Sequence, residues 1–158
     1  MRAIGLYNEF LSVTGDDNGI EMLDIGATVA TVQPHPFIVW TVSRISRDQS
    51  TYQLRNNFTH LCLYAHWIVD MGHHFVGGSP CNASDVSQHW RFLQYTTAVS
   101  KLLFYELQHA VHGSSQSPWC VRVPSMTANS PNAVLDTCSI GDPTLERHTY
   151  FVLLPVLL

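Results

Sequence analysis

Apolar and polar positions in this chain fall mostly into short runs dense in β-branched and aromatic residues, with few long helical stripes. "IGATVATV" at 25–32 has no helical stripe, and "FIVWTVSRI" at 37–45 is apolar on both parities over its first six residues, as in strands buried on both faces. "FTHLCLYAHWIV" at 58–69 reads as a further strand, and two more are predicted at 133–140 and 148–154, separated by a "GDP" turn. "TGDDNG" at 14–19 concentrates residues that favour positive φ, so a hairpin turn with a strand on each side is expected. Neither Pro34 nor Pro36 in "QPHP" has an N–H to donate, which forces a turn or bulge before "FIVWTV".

Two segments read as helix. Ser50 with Gln53 three residues on matches a capping box, predicting a short helix over 50–54. In 84–112, Val86, Trp90, Leu93, Val99, Leu102, Leu103, Leu107 and Val111 recur on one face, and Gly113 closes the stretch, whose tail is a strand where context overrides the helix. Residues 3–11 fit helical spacing and equally the start of a strand. "DMGHHFVGGSP" reads as loop, and "WCVRV" as an edge strand within a loop-rich region. No internal repeat is evident. The sum is a mainly β single domain over 1–158, a β-barrel with one or two helices.

Composition narrows the function. With 158 residues, 46% of them hydrophobic, the chain can bury a core. A net charge of −4, with seven Arg and one Lys scattered along it, offers no concentrated positive face for nucleic acid or an anionic membrane. The C-terminal "YFVLLPVLL" is too short to span a membrane and reads as a buried strand. The N-terminus lacks a secretory pattern, which predicts a cytoplasmic protein. Cys62, Cys81, Cys120 and Cys138 form no C-x-x-C pair and are expected to be reduced structural thiols. The sequons at Asn57 and Asn82 are then chance matches.

Seven of the nine histidines lie between His60 and His112. His66, Asp70 and His73 would share a face on a helix, but Gly72 and the β-rich flank oppose one. "ELQHAVH" places Glu106, His109 and His112 along a helical stripe, half of a di-iron carboxylate motif, yet Glu9, Glu21 and Glu146 are the only other glutamates. An amphipathic face with solvated histidines is the simpler expectation. Catalytic and nucleotide motifs of the H-E-x-x-H, G-x-S-x-G, Walker and G-x-G-x-x-G types do not occur.

"SRISRDQST" places Ser43, Arg44, Ser46, Arg47, Ser50 and Thr51 within nine residues. At a helix N-terminus such a set offers guanidinium, hydroxyl and backbone N–H donors to a phosphate. Without one it is a polar turn.

Around this loop, "DDNGIEMLDIGATVATVQPHPFIVWTVSRISRDQSTYQLRNNFTHLCL" resembles the flavin reductase-like, FMN-binding split-barrel family in its order of D-G turn, strand, proline corner, apolar strand and Ser-rich loop. "SDVSQHWRF" looks like that family's D-V-x-K-F segment and "RHTYFVLLPVL" like its D-H-x-x-F-V-G-x-V strand. The resemblance implies a split β-barrel homodimer, cut short at the C-terminus, binding FMN or alternatively FAD, with NAD(P)H as hydride donor. By position it implies Ser43, Arg44, Ser46, Ser50 and Thr51 as phosphate or ribityl contacts, Thr28 and Thr31 as flavin-side contacts, and His148 as a late-strand contact. The cofactor would carry the chemistry. Met22, Ile25 and Ala27 stand where the family has polar flavin contacts, which gives a second reading: a binding protein on the same barrel that has lost flavin. A third reading is a metal-binding protein using Glu106, His109 and His112.

Overall fold

The computed structural model describes residues 2–6, 9–13, 20–24, 39–46, 50–68, 73–96, 103–113, 116–122, 133–139 and 152–155. Twelve strands run through them: β1 (Arg2–Leu6), β2 (Glu9–Val13), β3 (Ile20–Asp24), β4 (Val39–Ser46), β5 (Thr51–Asn56), β6 (Cys62–Ile68), β7 (His73–Ser79), β8 (Trp90–Thr96), β9 (Leu103–Gly113), β10 (Pro118–Arg122), β11 (Val134–Thr137) and β12 (Val152–Pro155). All pairings are antiparallel. The mainly β expectation is met.

The connectivity is not that of a split barrel. β1 pairs with β4, β4 with β5, β5 with β8 and β8 with β9, while β12 pairs with β1 and packs against β9. These six strands form a ring. The remaining strands make three hairpins, β2–β3, β6–β7 and β10–β11. Four strands therefore recur three times: two in the ring and a hairpin between them. The expectation of no repeat fails because the repetition is architectural. Its visible traces are Trp40 and Trp90, both fully buried near the start of the fourth strand in the first two repeats.

Neither predicted α-helix forms among the described residues. Ser50 has φ 48°, a left-handed turn conformation, whereas an N-cap needs extended backbone. It closes the β4–β5 hairpin, and Thr51 opens β5. In 84–112 the only described helical piece is one 3-10 turn, Val86–Gln88, capped by Asp85, whose side chain accepts from the Ser87 N–H. Two period-two strands, β8 and β9, then follow; their combined apolar positions imitate a helical stripe. Gly113 does end β9, with φ +87°, and a Cβ there would lie 2.5 Å from the Ser117 carbonyl oxygen. The segment expected as loop after Asp70 contains β7, which pairs with β6 from Ile68↔His73 to Cys62↔Ser79. The 25–32 strand, the "QPHP" corner and the "GDP" turn lie outside the described residues.

The core gathers Trp40, Leu54, Leu63, Ala65, Val76, Trp90, Leu107, Val121, Ala133 and Leu135. The cysteines are not reduced thiols. Cys62 bonds to Cys81 and Cys120 to Cys138, each bridge joining a repeat's second strand to the residues just beyond its third.

Candidate functional site

Strand alternation gives the β6–β7 hairpin two different faces. Leu63, Ala65 and Val76 point into the core, while Tyr64, His66 and Phe75 project the other way and are half-buried. His66 lies directly opposite Phe75, and Tyr64 opposite Gly77. The Tyr64 and His66 rings stack 5.0 Å apart at 9°, and Phe75 meets His66 edge-on at 5.5 Å. Partial burial pushes the Tyr64 hydroxyl above its usual pKa.

Several bonds make this row rigid. The Cys62–Cys81 bridge closes the open end of the hairpin. Just beyond it, the fully buried Gln88 donates to the Pro80 carbonyl at 2.8 Å and accepts from the Asn82 N–H at 3.0 Å and from the Gln53 side chain at 2.7 Å. Gln53, expected to complete a helix cap, instead braces this turn. Trp90 donates its indole N–H to the Leu63 carbonyl at 2.9 Å, tying β8 to the hairpin from the core side. At the other end of the β4–β5 and β5–β6 segment, Asn56 Oδ1 accepts from the Phe58 and Thr59 N–H groups.

The second cluster is internal. Across β9 and β10, Cys120 pairs with Gln108 and Pro118 with Gly113, so β9 advances five residues while β10 advances two. The resulting bulge curls around His109, which is fully buried. His109 and His112 stack at 4.5 Å, His112 and His74 lie 4.1 Å apart, and Trp119 meets His74 edge-on at 5.0 Å. Burial pushes His109 down to about 4 and lowers His112 as well. The expectation of solvated histidines fails, because the bulge turns His109 inward.

Glu106 is also buried. One oxygen accepts from the Ser139 N–H at 2.6 Å, and the other has no hydrogen-bond partner among the described residues. No group of three or more His, Cys, Asp or Glu among the described residues is arranged to hold a metal. His66 faces away from the core on β6, so it does not join His109; Asp70 lies outside the described residues.

Of the residues expected at a phosphate site, Ser43, Arg44, Ser46, Ser50 and Thr51 all sit on the β4–β5 hairpin. Ser43 and Arg44 are exposed and adjacent on a strand, hence on opposite faces. The Arg44 Nε–H donates to the Ser46 carbonyl at 3.2 Å, and Thr51 is buried. Among the described residues no helix begins here, since Thr51 opens β5, so the anion cradle lacks the helix N-terminus it requires. Thr28, Thr31, Arg47 and His148 lie outside the described residues.

Sequence reasoning singles out none of Gln88, Tyr64 and Phe75, and it places Trp90 only on a helical stripe and His66 only on a possible helix face. "LYAHW" already carried the alternation that separates Tyr64 and His66 from Leu63 and Ala65. The pairing of Phe75 with His66 had no signal within the strand itself.

No family model and no curated protein matches the sequence. Solved structures do match. A mosquitocidal holotoxin superposes with a TM-score of 0.71 at 14% identity over 97% of this chain, which spans 17% of the holotoxin's length. The cytolethal distending toxin of Actinobacillus actinomycetemcomitans gives 0.67 at 16% identity, covering 99% of this chain and 92% of that one. A BEL β-trefoil gives 0.62 at 10% identity, covering 97% and 90%. These matches overturn the flavin reductase resemblance, and with it the expected oxidoreductase activity on a split barrel. Ring, hairpins and threefold recurrence agree with them: this chain has the β-trefoil fold.

Proposed function

We propose that this domain is a non-catalytic recognition module that binds carbohydrate on the outer face of the β6–β7 hairpin and works in an oxidising compartment. The observation that carries the reading is the half-exposed Tyr64–His66–Phe75 row on a hairpin locked by a disulfide. Aromatic side chains supply apolar contact area at low entropic cost, and a tyrosine adds a hydroxyl that can hydrogen-bond at the edge. The C–H faces of a pyranose complement such a surface, and its hydroxyls complement the phenol. The hairpin's braces hold the row in place before a ligand arrives, which limits the ordering cost of binding.

Two bridges are of the kind that persist in secreted and extracellular proteins, which supports the oxidising setting over the cytoplasm. Two of the similar structures are toxins, and in the holotoxin the matched region is a minor part of a longer chain. A recognition role within a larger secreted assembly is consistent with that context.

The test is a glycan array followed by solution titration of the best ligand. Tyr64→Ala and Phe75→Ala should each weaken binding by about five- to tenfold, the loss of one aromatic contact of about 1–1.4 kcal/mol. An array without hits, or a hit that both variants bind unchanged, would remove this reading.

A further inference from the structure

The His109 ring has a hydrogen bond for each nitrogen. Nδ1 accepts from the His112 N–H at 3.1 Å and, more weakly, from the Val111 N–H at 3.4 Å. The proton of the neutral ring therefore sits on Nε2, which donates to the Ser87 carbonyl at 3.0 Å. One side chain thus closes the β9 bulge on itself and fastens it to the 3-10 turn before β8. The backbone bond from the Ala110 N–H to the His89 carbonyl, at 2.8 Å, runs alongside.

Protonation would place a hydrogen on Nδ1, and that atom could then accept nothing. Two backbone N–H groups would face a third donor beside a fully buried ring, at the cost of unmet buried groups. We propose that His109 is an acid-operated latch: its protonation releases the β9 bulge from the Val86–Gln88 turn and opens the part of the core where His112, His74 and Trp119 meet.

The surroundings oppose a charge in the closed form. His112 stacks on the ring from β9 itself, His74 approaches through His112 from β7, and His89 lies at the turn; all three disfavour an added positive charge. Asp85 is the carboxylate that feels His109, and it is engaged with the Ser87 N–H and hydroxyl. Glu106, three residues earlier on β9, has one oxygen committed to Ser139. Trp90, edge-on at 5.0 Å, has no titratable group.

The sign follows from linkage. Burial holds His109 at about 4 in the closed form, against 6.5 when freed. The closed form is therefore fully stable above about pH 6.5 and loses stability as the pH falls toward 4. Between neutral pH and pH 5 the ratio of open to closed molecules rises about 20-fold. This device is independent of the carbohydrate reading and concerns how the domain responds when carried into an acidic compartment.

The experiment is amide hydrogen exchange on the full chain with both disulfides intact, at pH 7 and pH 5 and corrected for intrinsic exchange rates. Protection at Val111 and His112 should fall about 20-fold, while amides in β6 and β7 change far less. His109→Asn keeps an acceptor near the Nδ1 position and cannot be protonated, so its protection should not vary with pH. Unchanged protection in the wild type, or the same loss in His109→Asn, would overturn the latch. Should His109→Asn fail to fold, imidazole ¹⁵N spectra of the wild type decide: an Nε2–H tautomer titrating together with the opening supports the latch, and an Nδ1–H tautomer or independent titration overturns it.

Discussion

The β6–β7 and β10–β11 hairpins occupy the same place in the second and third repeats, and bridges spanning 19 and 18 residues close them alike. Their surroundings differ. The first presents an aromatic row on its outer face, whereas the second carries the half-exposed Arg122–Asp136 ion pair across its strands. Cys120 and Cys138 are both buried, while Cys81 is exposed. The repeat thus fixes where a hairpin is stapled and leaves the chemistry of its outer face free to diverge. The first repeat, residues 1–46, contains no cysteine.

The largest predicted loss comes from separating β8 from the first of these hairpins. Trp90→Ala removes a fully buried ring and leaves the Leu63 carbonyl without its donor, and should cost about 3–5 kcal/mol in denaturant unfolding. Deleting the staples ranks next. Loop closure alone gives each bridge about 3 kcal/mol; Cys120→Ala with Cys138→Ala should cost more than Cys62→Ala with Cys81→Ala, because only the former empties buried volume at both ends. Equal losses would show that the difference in burial has no energetic weight. Under limiting reductant, alkylation read by mass spectrometry should mark Cys62 and Cys81 first.

Smaller effects sharpen the contrast further. Gln88→Leu conserves volume but strands the Pro80 carbonyl and the Asn82 N–H, for an expected cost of about 1–3 kcal/mol by thermal melting. Asp136→Asn on the other hairpin should cost only about 0.2–1 kcal/mol, since that ion pair is solvated. If Asp136→Asn proved the more damaging, the β6–β7 hairpin would not be the specially braced one.

Much of the β character was legible because dense, β-branched and aromatic apolar runs such as "FIVWTV" and "HLCLYAHWIV" favour strands; β4 begins in the first and β6 lies within the second. The hairpin signal at 14–19 was local turn chemistry, and strands β2 and β3 flank it. What failed was everything that depended on non-local partners. Ser50 and Gln53 have the spacing of a cap, yet Gln53 finds Gln88, 35 positions away. The helical stripe over 84–112 came from two adjoining strands. Cysteines 19 and 18 residues apart reveal a pairing only once the repeat is known. The resemblance to a flavin reductase rested on the order of turn, strand and loop, an order that two unrelated β folds can share.

Sugar titration followed by amide and aromatic NMR shifts tests the functional claim most directly. The account predicts saturable shifts centred on Tyr64, His66 and Phe75, with the β10–β11 hairpin unaffected. Shifts centred on the β4–β5 hairpin around Arg44, or none for any sugar the array retains, would contradict it.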